Sequence, residues 1–292
     1  MSDTVERPGV PPGRAVELPG RGTTWVRELR GPRGAPTLVL LHGWMATAAL
    51  NWRVVFEPLA ARYRVVALDH RGHGRGIRTL RRFRLADCAD DAAALLEALG
   101  IERAIAIGYS MGGPIAQLFW HRHRRRVSGL VLCATSGNFR GGARAGIPEL
   151  VLPIVVPGLA LGSRLMPAAV RRRLVREFLA SRIQNPDALG WVLSEIGDID
   201  LAAALHAGRS IRAFSSDEWI SSIDVPTAVV VNVRDQLVSP AAQRKLAASI
   251  PGATIHPVDG DHAACVYRPR EFTAALLEAC ASVAGRIDSR RS

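Results

Sequence analysis

Short apolar runs recur along this chain, each followed by a segment of helical spacing, and the alternation predicts its elements. Thr37-Leu38-Val39-Leu40-Leu41 reads as a strand buried on both faces, and Arg64-Val65-Val66-Ala67-Leu68 reads the same way. From Leu85 to Leu99, the residues Leu85, Cys88, Ala92, Leu95, Leu96 and Leu99 share one helical face. Ala104 to Ile107 is then a short buried strand, Pro114 to His123 a helix, and Val127 to Cys133 a further strand. Much later come a strand over Thr227 to Val231, a helix over Pro240 to Ala248 and a strand around Ala253 to Val258. A closing helix runs from about Glu271 to Val283. Strands and helices alternating in this way predict an α/β fold, a mostly parallel central sheet with helices on both faces.

The rhythm breaks between 137 and 215, where no strand pattern appears and helical patterns dominate. This reads as an insertion between two sheet strands, dividing the core into 15–136 and 216–286. Leu150 to Ser163 is almost wholly apolar, yet too short and too broken by proline to cross a bilayer. Pro167 to Ile183 follows helical spacing, with Val170, Leu174, Phe178 and Leu179 expected inside and Arg171, Arg172, Arg173 and Arg176 outside. Residues 1–14 lack the apolar stretch of a signal peptide and read as a flexible arm, with a flexible tail at 287–292. There are no internal repeats.

At 292 residues and 48% hydrophobic, the chain can bury a sizeable core, and wholesale disorder is excluded. Cys88, Cys133, Cys265 and Cys280 are widely scattered, which fits reduced, buried small hydrophobes and neither a disulfide framework nor a zinc site. A cytoplasmic location is therefore expected. The net charge of +12 first suggests nucleic acid, but aromatics are only 5% and no recognition-helix motif is present. Contact with an anionic membrane surface stays open, because the arginines of the insertion lie beside its apolar run.

Candidate chemistry begins at Gly108-Tyr109-Ser110-Met111-Gly112, a G-x-S-x-G pattern between a strand and a helix. A turn this tight exposes the Ser110 hydroxyl. Serine is a weak nucleophile near neutral pH and needs a histidine to take its proton, held in its tautomer by a carboxylate. Asp235 lies just past the strand at 227–231, and His262 lies in a glycine-containing loop after the next strand. All three therefore fall at carboxyl ends of strands, on one rim of the sheet. Asp259 and Asp261 are rival acids, and His256 is a weaker base candidate because it sits within a strand pattern. His121 and His123, in the run HRHRRR at a helix end, read as surface residues.

With LLHGW (Leu40 to Trp44), LDHRGHGRG (Leu68 to Gly76), GYSMGG (Gly108 to Gly113), RDQLVSP (Arg234 to Pro240) and DHAA (Asp261 to Ala264), the chain resembles the α/β-hydrolase superfamily from residue 20 to residue 285. The resemblance implies that the insertion at 137–215 is the family's helical cap. It also implies an oxyanion hole from the backbone N–H groups of Met111 and Trp44, the latter in the loop opened by His42 and Gly43. His42 is then a structural hydrogen-bonder beneath that loop, and the turn with His70 and His73 shapes a pocket wall rather than a metal site. No metal or organic cofactor is needed by such machinery.

The expected activity is hydrolysis of a carboxylic ester with an apolar acyl group through an acyl-enzyme on Ser110. A cofactor-free perhydrolase or a C–C bond hydrolase on the same triad remains open, as does a hydrolase-like ligand receptor.

Overall fold

A computed structural model describes residues 9–140, 152–167, 169–170, 173, 176–177, 186–196 and 200–289. Its strands are β1 (Gly13–Leu18), β2 (Gly22–Leu29), β3 (Thr37–Leu41), β4 (Arg64–Leu68), β5 (Ala104–Tyr109), β6 (Val127–Cys133), β7 (Thr227–Asn232) and β8 (Thr254–Val258). They form one sheet in the order β1-β2-β4-β3-β5-β6-β7-β8. Strands β3 to β8 pair in parallel, and β1 and β2 add an antiparallel hairpin at one edge.

The helices are α1 (Ala48–Trp52), α2 (Phe56–Ala60), α3 (Leu85–Ala98), α4 (Gly112–Arg122), α5 (Leu152–Leu165), α6 (Pro186–Ile196), α7 (Leu201–Arg212), α8 (Pro240–Ser249), α9 (Ala264–Tyr267) and α10 (Pro269–Asp288). Alternate strand residues feed two separate cores. Val39, Leu41, Val66, Ala106, Leu130 and Val229 pack against α3, α4 and α8. Leu38, Leu40, Val65, Ile107, Val131 and Val230 pack against α1, α2 and α10. A side chain of this kind, fully buried, contributes about 1.5–3 kcal/mol. Helices on both faces explain why the central strands are apolar without interruption.

Two terminal expectations need correction. The stretch taken as an arm to residue 14 already contains the start of β1, whose Gly13 and Arg14 pair with Arg27 and Val26. In that hairpin only Val16, Leu18, Thr24, Val26 and Arg27 are buried, so it carries a half-buried pattern instead of an apolar run. At the other end α10 continues through Ile287 and Asp288, so the expected tail begins inside a helix. Ile287 packs against the core, which explains the extension.

The two ends of the insertion meet at the sheet. Asn138 and Ser215 form an antiparallel bridge, Phe139 donates its N–H to Phe214 O (3.0 Å), and Ser216 donates to Gly137 O (2.7 Å). Ser216 Oγ also bonds Gln117 Oε1 at 2.8 Å, tying this stalk to α4. Within the insertion α5 packs on α7, burying Ala160, Ser163, Ala204 and Ala207. Leu159, Leu161 and Leu165 on α5 stay exposed. Val170, expected inside, is 46% exposed. Helical spacing there marks a face but not whether anything covers it. Arg173 and Arg176 are exposed as expected, while Arg171, Arg172, Leu174, Phe178 and Leu179 lie outside the described residues. Among the described residues no helix is long and apolar enough to cross a membrane.

Candidate active site

Ser110 follows β5 directly and has φ +51°, a left-handed conformation that a residue with a Cβ adopts only at a cost of about 1–3 kcal/mol. The surroundings hold it there. Its N–H donates to Cys133 O (2.9 Å), and its carbonyl accepts from Gly113 N (2.9 Å) and Thr135 Oγ1 (2.8 Å). Gly108 and Gly112 make the turn sterically possible. A Cβ on Gly108 would come within 2.2 Å of Gly112 O, and one on Gly112 within 2.0 Å of Leu41 O. β5 and α4 therefore approach so closely at the turn that only the serine projects.

The structure brings Ser110, His262 and Asp235 together from positions far apart in the chain. His262 Nε2 is 2.9 Å from Ser110 Oγ, and His262 Nδ1 is 2.7 Å from Asp235 Oδ2. Asp235 is buried, and its Oδ1 accepts the backbone N–H groups of Leu237 (2.8 Å) and Val238 (2.9 Å). Its Oδ2 also accepts Gln243 Nε2 at 3.1 Å. An acceptor facing Nδ1 places the proton there and leaves the Nε2 lone pair for the serine O–H. The rival acids are turned elsewhere. Asp259 is exposed and paired with Arg234, while Asp261 accepts the N–H of Ala263 (2.8 Å).

The loop after β3 lies across the elbow. A Cβ on Gly43 would sit 3.4 Å from Ser110 Cβ, and the Gly43 N–H is held by Asn51 Oδ1 at 2.7 Å. His42 is fully buried beneath this loop. Its Nδ1 donates to Gly43 O (2.8 Å) and its Nε2 accepts the N–H of His70 (2.9 Å), so its tautomer is set by its partners. Burial pushes its pKa down to about 4, and that of His73 to about 3, and drives His70 well below its usual value. Trp44 follows Gly43, and its indole N–H donates to Ala204 O on α7 (2.9 Å). Met111 is buried immediately before the first turn of α4, where helix N–H groups and the helix dipole favour negative charge.

A family model described as "alpha/beta hydrolase fold" matches residues 36–155. The 30 kDa subunit of magnesium chelatase from Rhodobacter capsulatus is 29% identical over 250 residues, 82% of this chain and 84% of that protein. A putative carbamate hydrolase, RutD, from Azorhizobium caulinodans is 29% identical over 252 residues, 86% of this chain and 93% of its own length. The crystal structure of the enol-lactonase from Burkholderia xenovorans LB400 superposes with a TM-score of 0.73 at 23% identity, covering 92% of this chain and all of that one. The chain is an enzyme with the α/β-hydrolase fold.

Several residues that support the site are not picked out by the sequence, and one of them, Tyr109, stands at a variable position of the G-x-S-x-G stretch. Tyr109 donates its hydroxyl to His262 O (2.7 Å), and Asn232 Nδ2 donates to Asp261 O (2.7 Å), so β5 and β7 together hold the histidine loop. Asn51 and Gln243 are equally silent in the sequence, since a buried amide leaves no periodic signal. His121 stacks on Trp219 (4.3 Å), and His123 Nε2 is 2.8 Å from Asp90 Oδ1. His256 lies on β8 beside Glu278. The four cysteines are buried and unpaired as disulfides, and burial raises the Cys265 thiol to about 11 and pushes Cys280 higher still.

Proposed function

We propose that this hydrolase cleaves a carboxylic ester through an acyl-enzyme on Ser110. The observation that carries this reading is the hydrogen-bonded chain Ser110 Oγ, His262, Asp235, with 2.9 and 2.7 Å separations. His262 Nε2 takes the hydroxyl proton as Ser110 Oγ attacks the acyl carbon. Asp235 keeps the imidazole in its tautomer and stabilises the cation formed. The backbone N–H groups of Met111 and Trp44 hold the oxyanion of the tetrahedral intermediate. The imidazolium then protonates the departing alkoxide, and water completes the cycle by the same steps in reverse order. The lactonase and the carbamate hydrolase it resembles are named for substrates with acyl–oxygen or acyl–nitrogen bonds, which supports acyl transfer. The deciding experiment is fluorophosphonate labelling of wild type and Ser110→Ala, with turnover of p-nitrophenyl esters from acetate to palmitate. Labelling and turnover should vanish together in the variant; equal labelling of both proteins rules the nucleophile out.

The cap supports an apolar acyl group and peripheral contact with an anionic membrane. Leu159, Leu161 and Leu165 on α5 are 55%, 62% and 78% exposed, and Arg173 and Arg176 on the same insertion also face solvent. Leu161 and Leu165, four residues apart, share one face of α5, and adjoining exposed apolar side chains mark a binding surface more often than single ones do. Arg173 is paired with Glu177 (2.8 Å), which leaves Arg176 as the charge whose attraction to anionic lipid would be worth about 1 kcal/mol. Sedimentation with phosphatidylglycerol vesicles should exceed that with phosphatidylcholine and fall as salt rises. Fastest turnover on acetate, with no vesicle binding at low salt, would remove this part of the reading and leave the triad standing.

A further inference from the structure

We infer that Gln243, in the first turn of α8, is a positioning residue for the catalytic acid: it orients the Asp235 carboxylate and tempers its pull on His262. The inference deepens the serine-hydrolase reading above and rests on it. Gln243 is completely buried, and a primary amide out of water is tolerated only when its polar atoms are bonded. All are. Its Oε1 accepts the N–H of Asn232 (3.0 Å), and its Nε2 donates to Val238 O (2.7 Å) and Asp235 Oδ2 (3.1 Å). The amide orientation is unambiguous. Turned over, its oxygen would face a carboxylate and a carbonyl, and its NH2 would face an N–H donor.

The first two of these bonds join α8 to the end of β7 and to the loop between them, and would suffice for a structural tie. The third ends on the same carboxylate oxygen that takes the His262 Nδ1 proton. With Leu237 and Val238 on Oδ1, the carboxylate then accepts four donors and has no freedom to rotate. A donor on Oδ2 withdraws charge from the bond to His262, because hydrogen bonding to the charged form of an acid lowers its basicity. Without it the carboxylate carries more charge toward the ring and holds the imidazolium more tightly. Other titratable groups around His262 are Tyr109, whose ring is 6.0 Å away, Asp261, Cys265 and the Arg234–Asp259 pair. None of them bonds Gln243.

The test compares wild type, Gln243→Met and Gln243→Glu. The first removes the donor at similar volume, and the second replaces it with a second carboxylate. Rates are normalised to sites titrated with fluorophosphonate, which separates misfolding from function. In both variants kcat per titrated site should fall about 10- to 100-fold, the range typical of supporting-shell residues, with KM changing far less. The acidic limb of kcat/KM should move to higher pH by about half a unit or more, and further in Gln243→Glu. A purely structural residue would lower the number of active sites and leave that limb in place. Wild-type kcat per site with an unmoved limb overturns the inference. If wild-type Ser110 fails to label, the hydrolase reading itself falls. An NMR titration of the His262 ring in wild type and Gln243→Met then still reads the influence of Gln243.

Discussion

Trp44 donates its indole N–H to the carbonyl of Ala204 at 2.9 Å, and this bond joins the loop lying over Ser110 to α7 of the insertion. The neighbouring helix of the insertion reaches the same region, where Glu195 of α6 accepts from Thr47 Oγ1 (3.1 Å) and Arg53 lies over the Trp191 ring (5.2 Å). The loop carrying the proposed oxyanion donor is thus held on one side by α6 and α7 and on the other by His42 and Asn51. Trp44→Phe keeps an aromatic ring, smaller than indole, and the backbone N–H but deletes the bond to α7. A net hydrogen-bond contribution of about 1 kcal/mol predicts a fall in kcat/KM of roughly 3- to 10-fold. Steady-state kinetics on one ester checks this; an unchanged kcat/KM would show that the contact with α7 does not govern the loop.

Asp235→Asn should lower kcat by about four orders of magnitude while substrate still binds, because an amide cannot hold the productive histidine tautomer. Asp259→Asn, at an exposed carboxylate paired with Arg234, should stay within about twofold of wild type. Side-by-side kinetics decides which aspartate serves His262, and the reverse ranking would reassign the acid.

Acid should destabilise the fold before it protonates most carboxylates. His42, His70 and His73 are buried and neutral, with pKa values pushed down to about 4 for His42 and about 3 for His73. The unfolded chain protonates all three below about 6.5, so between that pH and about 4 it binds more protons than the folded state. Stability is therefore present above pH 6.5 and declines on acidification by about 1.4 kcal/mol per pH unit for each such histidine. Asp69 acts in the opposite sense, since burial raises its pKa. Urea midpoints from pH 7.5 to 4.5 should trace this slope, and His73→Phe should flatten it; an identical slope in the variant would disprove the assignment.

Asp91 is buried where it bridges two arginines. Arg71 grips it with two bonds of 2.7 Å, and Arg21 Nε adds one of 2.6 Å. The carboxylate raises the pKa of Arg71 against the opposing effect of burial. Asp91→Ala leaves Arg71 buried without its counter-charge, which predicts a loss of about 3–5 kcal/mol, read as a lower thermal or urea midpoint. A loss under about 1 kcal/mol would mean that solvent reaches the arginine.

Most parallel strands and the helices behind them are legible in the sequence because burial on both faces demands uninterrupted apolar runs. The strand at Thr37–Leu41 and the helix from Leu85 are examples. The elbow is legible for a related reason: backbone atoms approach so closely at Gly108 and Gly112 that no other residue fits, and steric necessity is written locally. The β1–β2 hairpin escaped because an edge that buries one face needs only a few apolar positions. The choice of Asp235 over Asp259 and Asp261 was suggested by strand ends, but the hydrogen bond to His262 comes from the juxtaposition of the β7 and β8 loops. Asn51, Tyr109, Asn232 and Gln243 became visible only in three dimensions. Each acts through one directional bond to a residue distant in sequence or to an irregular loop, and such bonds leave no period in the chain. Periodicity records which face is buried; only the packed structure decides which polar group meets which.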